Sequence, residues 1–136
     1  MIIKGRSIAK GKASGELIIS EAPISFLSGV DPNNGIVIEK GHPLEGICIR
    51  DMVLAFPYGK GSTVGSYVIY ALKKNGFAPA ALINTEAEAI IAVGAIISGI
   101  PMIDRLEEGF SSLKDGTYVT IDGDAGELIC EEPVDR

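Results

Sequence analysis

Phe56-Pro57-Tyr58-Gly59-Lys60-Gly61-Ser62-Thr63-Val64-Gly65-Ser66-Tyr67 reads as the end of a strand, a tight glycine turn and the first turn of a helix. Met52 to Phe56 is a short apolar run suited to a buried strand, and Pro57 ends it because it lacks a ladder donor. Gly59 and Gly61 permit positive φ and let a ligand approach the backbone. Ser62 or Thr63 supplies an N-cap, after which Val64, Tyr67, Val68, Ala71 and Leu72 recur at helical spacing. The helix is expected to run to about Lys74, where Asn75-Gly76 stops it and Lys73 and Lys74 complement its dipole.

The chemistry of this stretch is that of an anion site. Backbone N–H groups, the positive end of a helix dipole, the Lys60 ammonium and two hydroxyls converge on one point. It is not a Walker A loop, since that pattern requires glycine and a hydroxyl residue where this chain has Leu54 and Gly61. The same pattern also serves as an ordinary connection between strand and helix.

Around this centre the chain is long enough, at 136 residues and 46% hydrophobic content, for one domain with its own core. A net charge of −6 without a basic stripe argues against nucleic acid or an anionic membrane as partner. The most apolar stretch, Ala87 to Ile103, is too short to span a bilayer and is interrupted by Glu88, Gly94, Gly99 and Pro101. The N-terminus carries no signal-peptide pattern, so a cytoplasmic protein is expected. Cys48 and Cys130 sit in apolar, strand-like contexts and read as buried, reduced thiols. With His42 as the single histidine, they fall short of an iron–sulfur or structural zinc set, so any metal must come from elsewhere.

Before the centre, Lys4, Arg6, Lys10 and Lys12 form a basic, glycine-rich segment that reads as a solvated edge or a contact for an acidic partner. Glu16 to Ile19 is the first clear strand, and Pro23 to Leu27 fits a helical turn. Asp31-Pro32-Asn33-Asn34-Gly35 is a turn. Strands are expected at Ile36 to Ile38 and Ile47 to Ile49, with a loop at 41–46. His42, preceding a proline, is expected in a surface loop, as a packing or hydrogen-bonding residue or as a base.

Beyond the centre, Ala80 to Ile83 reads as a buried strand. Thr85-Glu86-Ala87-Glu88 reads as a capping box with Thr85 as cap. The helix that follows, Ala89 to Ile97, is apolar almost all round, so it is expected to pack on a sheet and on something else. Met102-Ile103 is a short strand. Thr117 to Ile121 and Gly126 to Cys130 make a hairpin around an Asp122-Gly123-Asp124 turn that carries only a fragment of calcium-loop spacing. Residues 131–136 are expected to be loosely ordered. The order of elements is that of an α/β domain with β-rich ends.

Read together, Ser25-Phe26, Gly29-Val30-Asp31-Pro32, Gly35, His42-Pro43-Leu44-Glu45-Gly46, Pro57 and Gly59-Lys60-Gly61-Ser62 resemble the small subunit of the aconitase-X family. The similarity extends to Asp115-Gly116, Val119, Asp122 and Gly126. It implies a swivelling β/β/α domain like the mobile domain of aconitases, paired as a heterodimer with a large subunit that carries a [4Fe-4S] cluster. Members are dehydratases, and their two best-defined branches act on a phosphorylated mevalonate and on cis-3-hydroxy-L-proline. A free-standing small subunit is similar to the archaeal branch, which serves isoprenoid synthesis. Asn34, Leu27 and Ser28 depart from the pattern expected of many relatives.

The resemblance further implies that Ser62 takes the proton from the carbon beside the substrate carboxylate. Gly59, Lys60, Gly61 and Thr63 would hold the substrate. Lys60 stands about where the aconitase loop uses arginine, keeping the charge and losing the fork. Two other classes stay open on the residues alone, a phosphohistidine carrier and an anion-binding module. The first lacks a histidine between Thr85 and Ile91, where such carriers need it.

Overall fold

The computed structural model describes residues 1–60, 64–111 and 113–130. Eight strands and three helices follow in the order β1 (Ile2–Lys4), β2 (Arg6–Ala9), β3 (Lys12–Ile19), α1 (Phe26–Gly29), β4 (Val53–Phe56), α2 (Gly65–Asn75), β5 (Ala81–Asn84), α3 (Ala89–Ser98), β6 (Met102–Asp104), β7 (Tyr118–Asp122) and β8 (Glu127–Cys130). The strands lie in the order β1-β8-β7-β3-β4-β5-β6-β2. Pairing is parallel from β3 through β6 and antiparallel elsewhere.

β3 joins the two halves. Its first part, Lys12 to Glu16, pairs with β7, and its last part, Leu17 to Ile19, pairs with β4. The antiparallel strands thereby fold over one face of the parallel strands while the helices cover the other. The two resulting cores divide cleanly by residue parity, as alternation along a strand requires. Leu54, Phe56, Leu82 and Met102 pack with Ile69, Leu72, Ile91 and Ala95 on the helical side. Val53, Ala55, Ala81, Ile83 and Ile103 pack with Ile3, Val119, Ile121 and Leu128 on the other. β4 and β5 are buried at every residue, which is why they read as continuous apolar runs without alternation.

α2 ends where Asn75-Gly76 placed its stop, with Gly76 left-handed and its N–H donating to Leu72 and Lys73. Its buried face differs from the expected one. Gly65, Ser66, Ile69 and Leu72 face inward, and Tyr67 is 68% exposed. The cause lies in α3. A Cβ on Gly94 would come within 2.7 Å of Ile69 Cδ1 and 3.2 Å of the Ser66 Cα, so the helices meet through their smallest residues and turn the tyrosines outward. α3 uses its small residues within the fold and leaves Val93, Ile96 and Ile97 exposed.

Several local expectations are corrected. The basic segment 4–12 keeps its expected place at an edge but is largely strand, with β1 and β2 forming the two sheet edges. Arg6 is committed to Asp104, through Nε to Oδ1 at 2.9 Å and Nη2 to Oδ2 at 2.8 Å. The helical turn lies at Phe26–Gly29. Ile36 to Ile38 and Ile47 to Ile49 shrink to the bridges Val30–Val37 and Ile36–Cys48. The cap of α3 is Glu88, which accepts from the Ile91 N–H at 3.1 Å. Thr85 cannot serve, because 85–87 is tied across the strand ends, Thr85 N–H to Pro57 O and Ala87 N–H to Asp104 Oδ2. Cys48 is exposed and Cys130 half-buried, since Cys48 lies on an outer excursion with a single bridge. Residues 131–136 lie outside the described residues.

Candidate active site

The three central parallel strands end together, with Phe56 in register with Asn84 and Asn84 with Asp104. This edge is where ligands settle in open α/β sheets. The end of β4 is pinned from the side: Asn84, fully buried, donates from Nδ2 to the Phe56 carbonyl at 3.0 Å. The chain then continues past Pro57 into the glycine turn. There Gly59 bridges Ile24 in parallel, with Ile24 N–H donating to Tyr58 O and Lys60 N–H to Ile24 O at 3.0 Å.

Gly59 takes no positive φ, contrary to expectation. Its smallness is needed for space. A Cβ there would overlap Ile91 Cγ1, lie 2.5 Å from Ile91 Cδ1 and approach Glu88 Oε1 to 3.2 Å. The turn is thus laid directly on the first turn of α3.

Lys60 reaches across to the excursion between β3 and β4, where its Nζ meets Glu39 Oε2 at 2.9 Å. Glu39 sits beside the end of α1, to which the preceding residue is tied by the Ile38 N–H donating to Gly29 O at 2.8 Å. Gly61, Ser62 and Thr63 lie outside the described residues. Past them Val64 stands at the N-cap position in helical conformation, with no side-chain cap bond, and α2 begins at Gly65.

His42 is buried, which corrects its expected place on the surface. Its Nδ1 accepts the Leu44 N–H at 3.0 Å, so Nε2 carries the proton and donates to the Pro23 carbonyl at 3.1 Å. Both nitrogens are committed, and the imidazole acts as a brace for the 23–24 segment that stitches the turn. The structure thus brings Gly59 and Lys60 together with Ile24, Glu39, Glu88 and, one layer behind, His42. Glu39 and Glu88 were not found by sequence reasoning. They lie 21 and 28 residues from Lys60 (60 − 39 and 88 − 60), and nothing in local spacing links them to it.

Asp104 is fully buried and holds Arg6 of the neighbouring edge strand β2, directly across from it. That hydrogen bond, with the nearby carboxylate charge, raises the guanidinium above its ordinary range. Among the described residues no cluster of three or more His, Cys, Asp or Glu side chains could hold a metal ion. Asp122 instead closes its own turn, accepting the N–H groups of Asp124 and Ala125. No described helix is long and apolar enough to cross a membrane.

Comparison with known proteins bears on this geometry directly. The family profile for the aconitase X swivel domain matches residues 2–130. The phosphomevalonate dehydratase small subunit of Methanocella arvoryzae is 62% identical over 127 residues, covering 93% of this chain and 96% of that protein. The crystal structure of Thermococcus kodakaraensis aconitase X in its holo-form superposes with a TM-score of 0.92 at 55% identity, covering 97% of this chain and 99% of that one. A 3-isopropylmalate dehydratase of Methanocaldococcus jannaschii shares the fold at a TM-score of 0.57 and 20% identity, over 92% of this chain and 84% of that chain.

Proposed function

The chain belongs to the aconitase X swivel-domain family, and from that premise we propose that it is the small subunit of a phosphomevalonate dehydratase, a hydro-lyase active only with its large subunit. The observation that carries the reading is the near-full-length identity to a small subunit of that name. The substrate is (R)-5-phosphomevalonate and the product trans-anhydromevalonate 5-phosphate. Residues 1–136 act as one swivelling domain of a cytoplasmic heterodimer.

The residues of this chain do not fit an iron–sulfur cluster. Cys48 ends an outer bridge and Cys130 ends β8, and no ligand cluster accompanies either among the described residues. We place a [4Fe-4S] cluster on the large subunit, where such a group supplies Lewis-acid chemistry to a hydroxyl. The work of this chain is to bind, orient and move one proton.

Ser62 is assigned as the proton acceptor, taking a proton from the carbon next to the carboxylate as its neighbour loses the hydroxyl. A free serine hydroxyl is a poor base. Two groups would favour the alkoxide: the N-terminus of α2 and the Lys60 ammonium. The same groups, with Gly59, Gly61 and Thr63, hold the anionic substrate, and closure of the large subunit over the turn excludes competing water.

The test is reconstitution. This chain and its large subunit are purified anaerobically, apart and mixed, and assayed for loss of (R)-5-phosphomevalonate. The reading requires activity in the mixture and none in either part. Turnover of a different hydroxy acid such as cis-3-hydroxy-L-proline, with phosphomevalonate untouched, would reject it.

A further inference from the structure

The partner of Lys60 is unusual for a counter-ion at a surface. Glu39 Oε2 faces the ammonium at 2.9 Å, while Oε1 is buried with no hydrogen-bond partner among the described residues. Oε1 lies against the end of α1, 3.1 Å from where a Cβ on Gly29 would stand. A solvated carboxylate keeps both oxygens in water. Burying one without a donor is unfavourable, and in this structure the ammonium is its compensation. The carboxylate is therefore wedged, and its free oxygen fixes the direction from which it meets Lys60.

We infer that Glu39 is a positioning residue for substrate binding, holding the Lys60 ammonium at the mouth of the glycine turn. This rests on the reading of Lys60 as a substrate contact. Lysine carries its charge on a flexible four-carbon stem with three donors at the tip. Glu39 occupies one donor and leaves two for an anionic group of the substrate. Without Glu39 the half-exposed stem samples several rotamers, and the substrate must order it on binding. An ion pair of this exposure is worth a modest factor, which sets the scale of the effect at about two- to fivefold.

The test uses the reconstituted complex and (R)-5-phosphomevalonate as probe, with Kd from calorimetry and KM and kcat from turnover. Glu39→Gln is expected to raise Kd and KM about two- to fivefold, with a smaller fall in kcat. Glu39→Asp, which keeps the charge on a shorter arm, falls between. In a Lys60→Met background, Glu39→Gln should have no further effect on Kd, because the anchor has nothing left to hold. Unchanged or tighter binding in Glu39→Gln overturns the inference, as does the same loss in the Lys60→Met background, which would mark Glu39 as merely structural. Binding without turnover by the unmodified complex rejects the dehydratase reading alone, and the Kd comparison still decides the role of Glu39. An unmodified complex that does not bind the probe overturns both.

Discussion

Gly59 and Ile91 meet with no room between them: any Cβ at position 59 would overlap the isoleucine side chain at the start of α3. The turn is therefore seated on α3 as well as leading into α2, and the two helices together fix where Lys60 emerges. Gly59→Ala is expected to force the turn outward or Ile91 off its rotamer. Overpacking of this kind costs about 1–3 kcal/mol, so the thermal midpoint should fall. Turnover of the complex should fall by more than tenfold, since small displacements of positioned groups are costly in rate. Melting and steady-state assays on the same preparation check both.

Gly94 sets the contact between α2 and α3 in the same way. Alanine is the better helix former by roughly 0.5–1 kcal/mol. The new methyl, however, would press on the Ser66 backbone at 3.2 Å and on Ile69 Cδ1 at 2.7 Å. Packing is expected to win, with Gly94→Ala net destabilising by about 1 kcal/mol. Ile69→Val in the same chain should recover part of the loss, as denaturant titration of the single and double variants will show.

His42 tests the difference between a brace and a base. Its two hydrogen bonds are to the backbone at Leu44 and Pro23. His42→Phe removes both in a buried site and should destabilise by about 1–3 kcal/mol. The shape of the pH–rate profile of the complex should be unchanged. A profile that loses a limb in this variant would return His42 to catalysis.

Asp104 is fully buried with Arg6 and the Ala87 N–H as partners, joining β6 to the edge strand β2 and to the approach to α3. Asp104→Ala should lower the thermal midpoint by roughly 5–15 °C. Arg6 is raised above its ordinary value by this hydrogen bond, so its contribution is complete below the unfolded value and is lost only as pH rises through the folded one. Both lie far on the alkaline side of neutrality, and stability between pH 6 and 9 is expected to show no step from this group.

What the sequence made legible follows from how local each signal is. β4, β5 and the two helices announce themselves through buried apolar runs, and Gly76 and Gly99 mark the helix ends where left-handed caps are found. The hairpin of β7 and β8 follows from alternation around Asp122 to Gly126. β1 and β2 were not legible, because their partners, Ile129 for Ile2 and Asp104 for Arg6, lie near the other end of the sequence. Local spacing equally could not show that Thr85 would be tied to Pro57 before it could cap α3. The inward phase of α2 depended on a glycine of the other helix. At the site, the turn and its lysine were visible as a pattern, whereas Glu39, Glu88 and the burial of His42 exist only once the excursion between β3 and β4 folds back on the turn.

The central proposal is that Ser62, as its alkoxide, accepts the substrate proton and becomes the hydroxyl. The most direct measurement is single-turnover dehydration of (R)-5-phosphomevalonate by the anaerobic complex carrying Ser62→Ala, beside calorimetric binding of the same substrate. The account predicts assembly with the large subunit, Kd within a few-fold of the unmodified complex, and a chemical step slower by at least about 10³. A Ser62→Ala complex that turns over within about tenfold of the unmodified rate would contradict it.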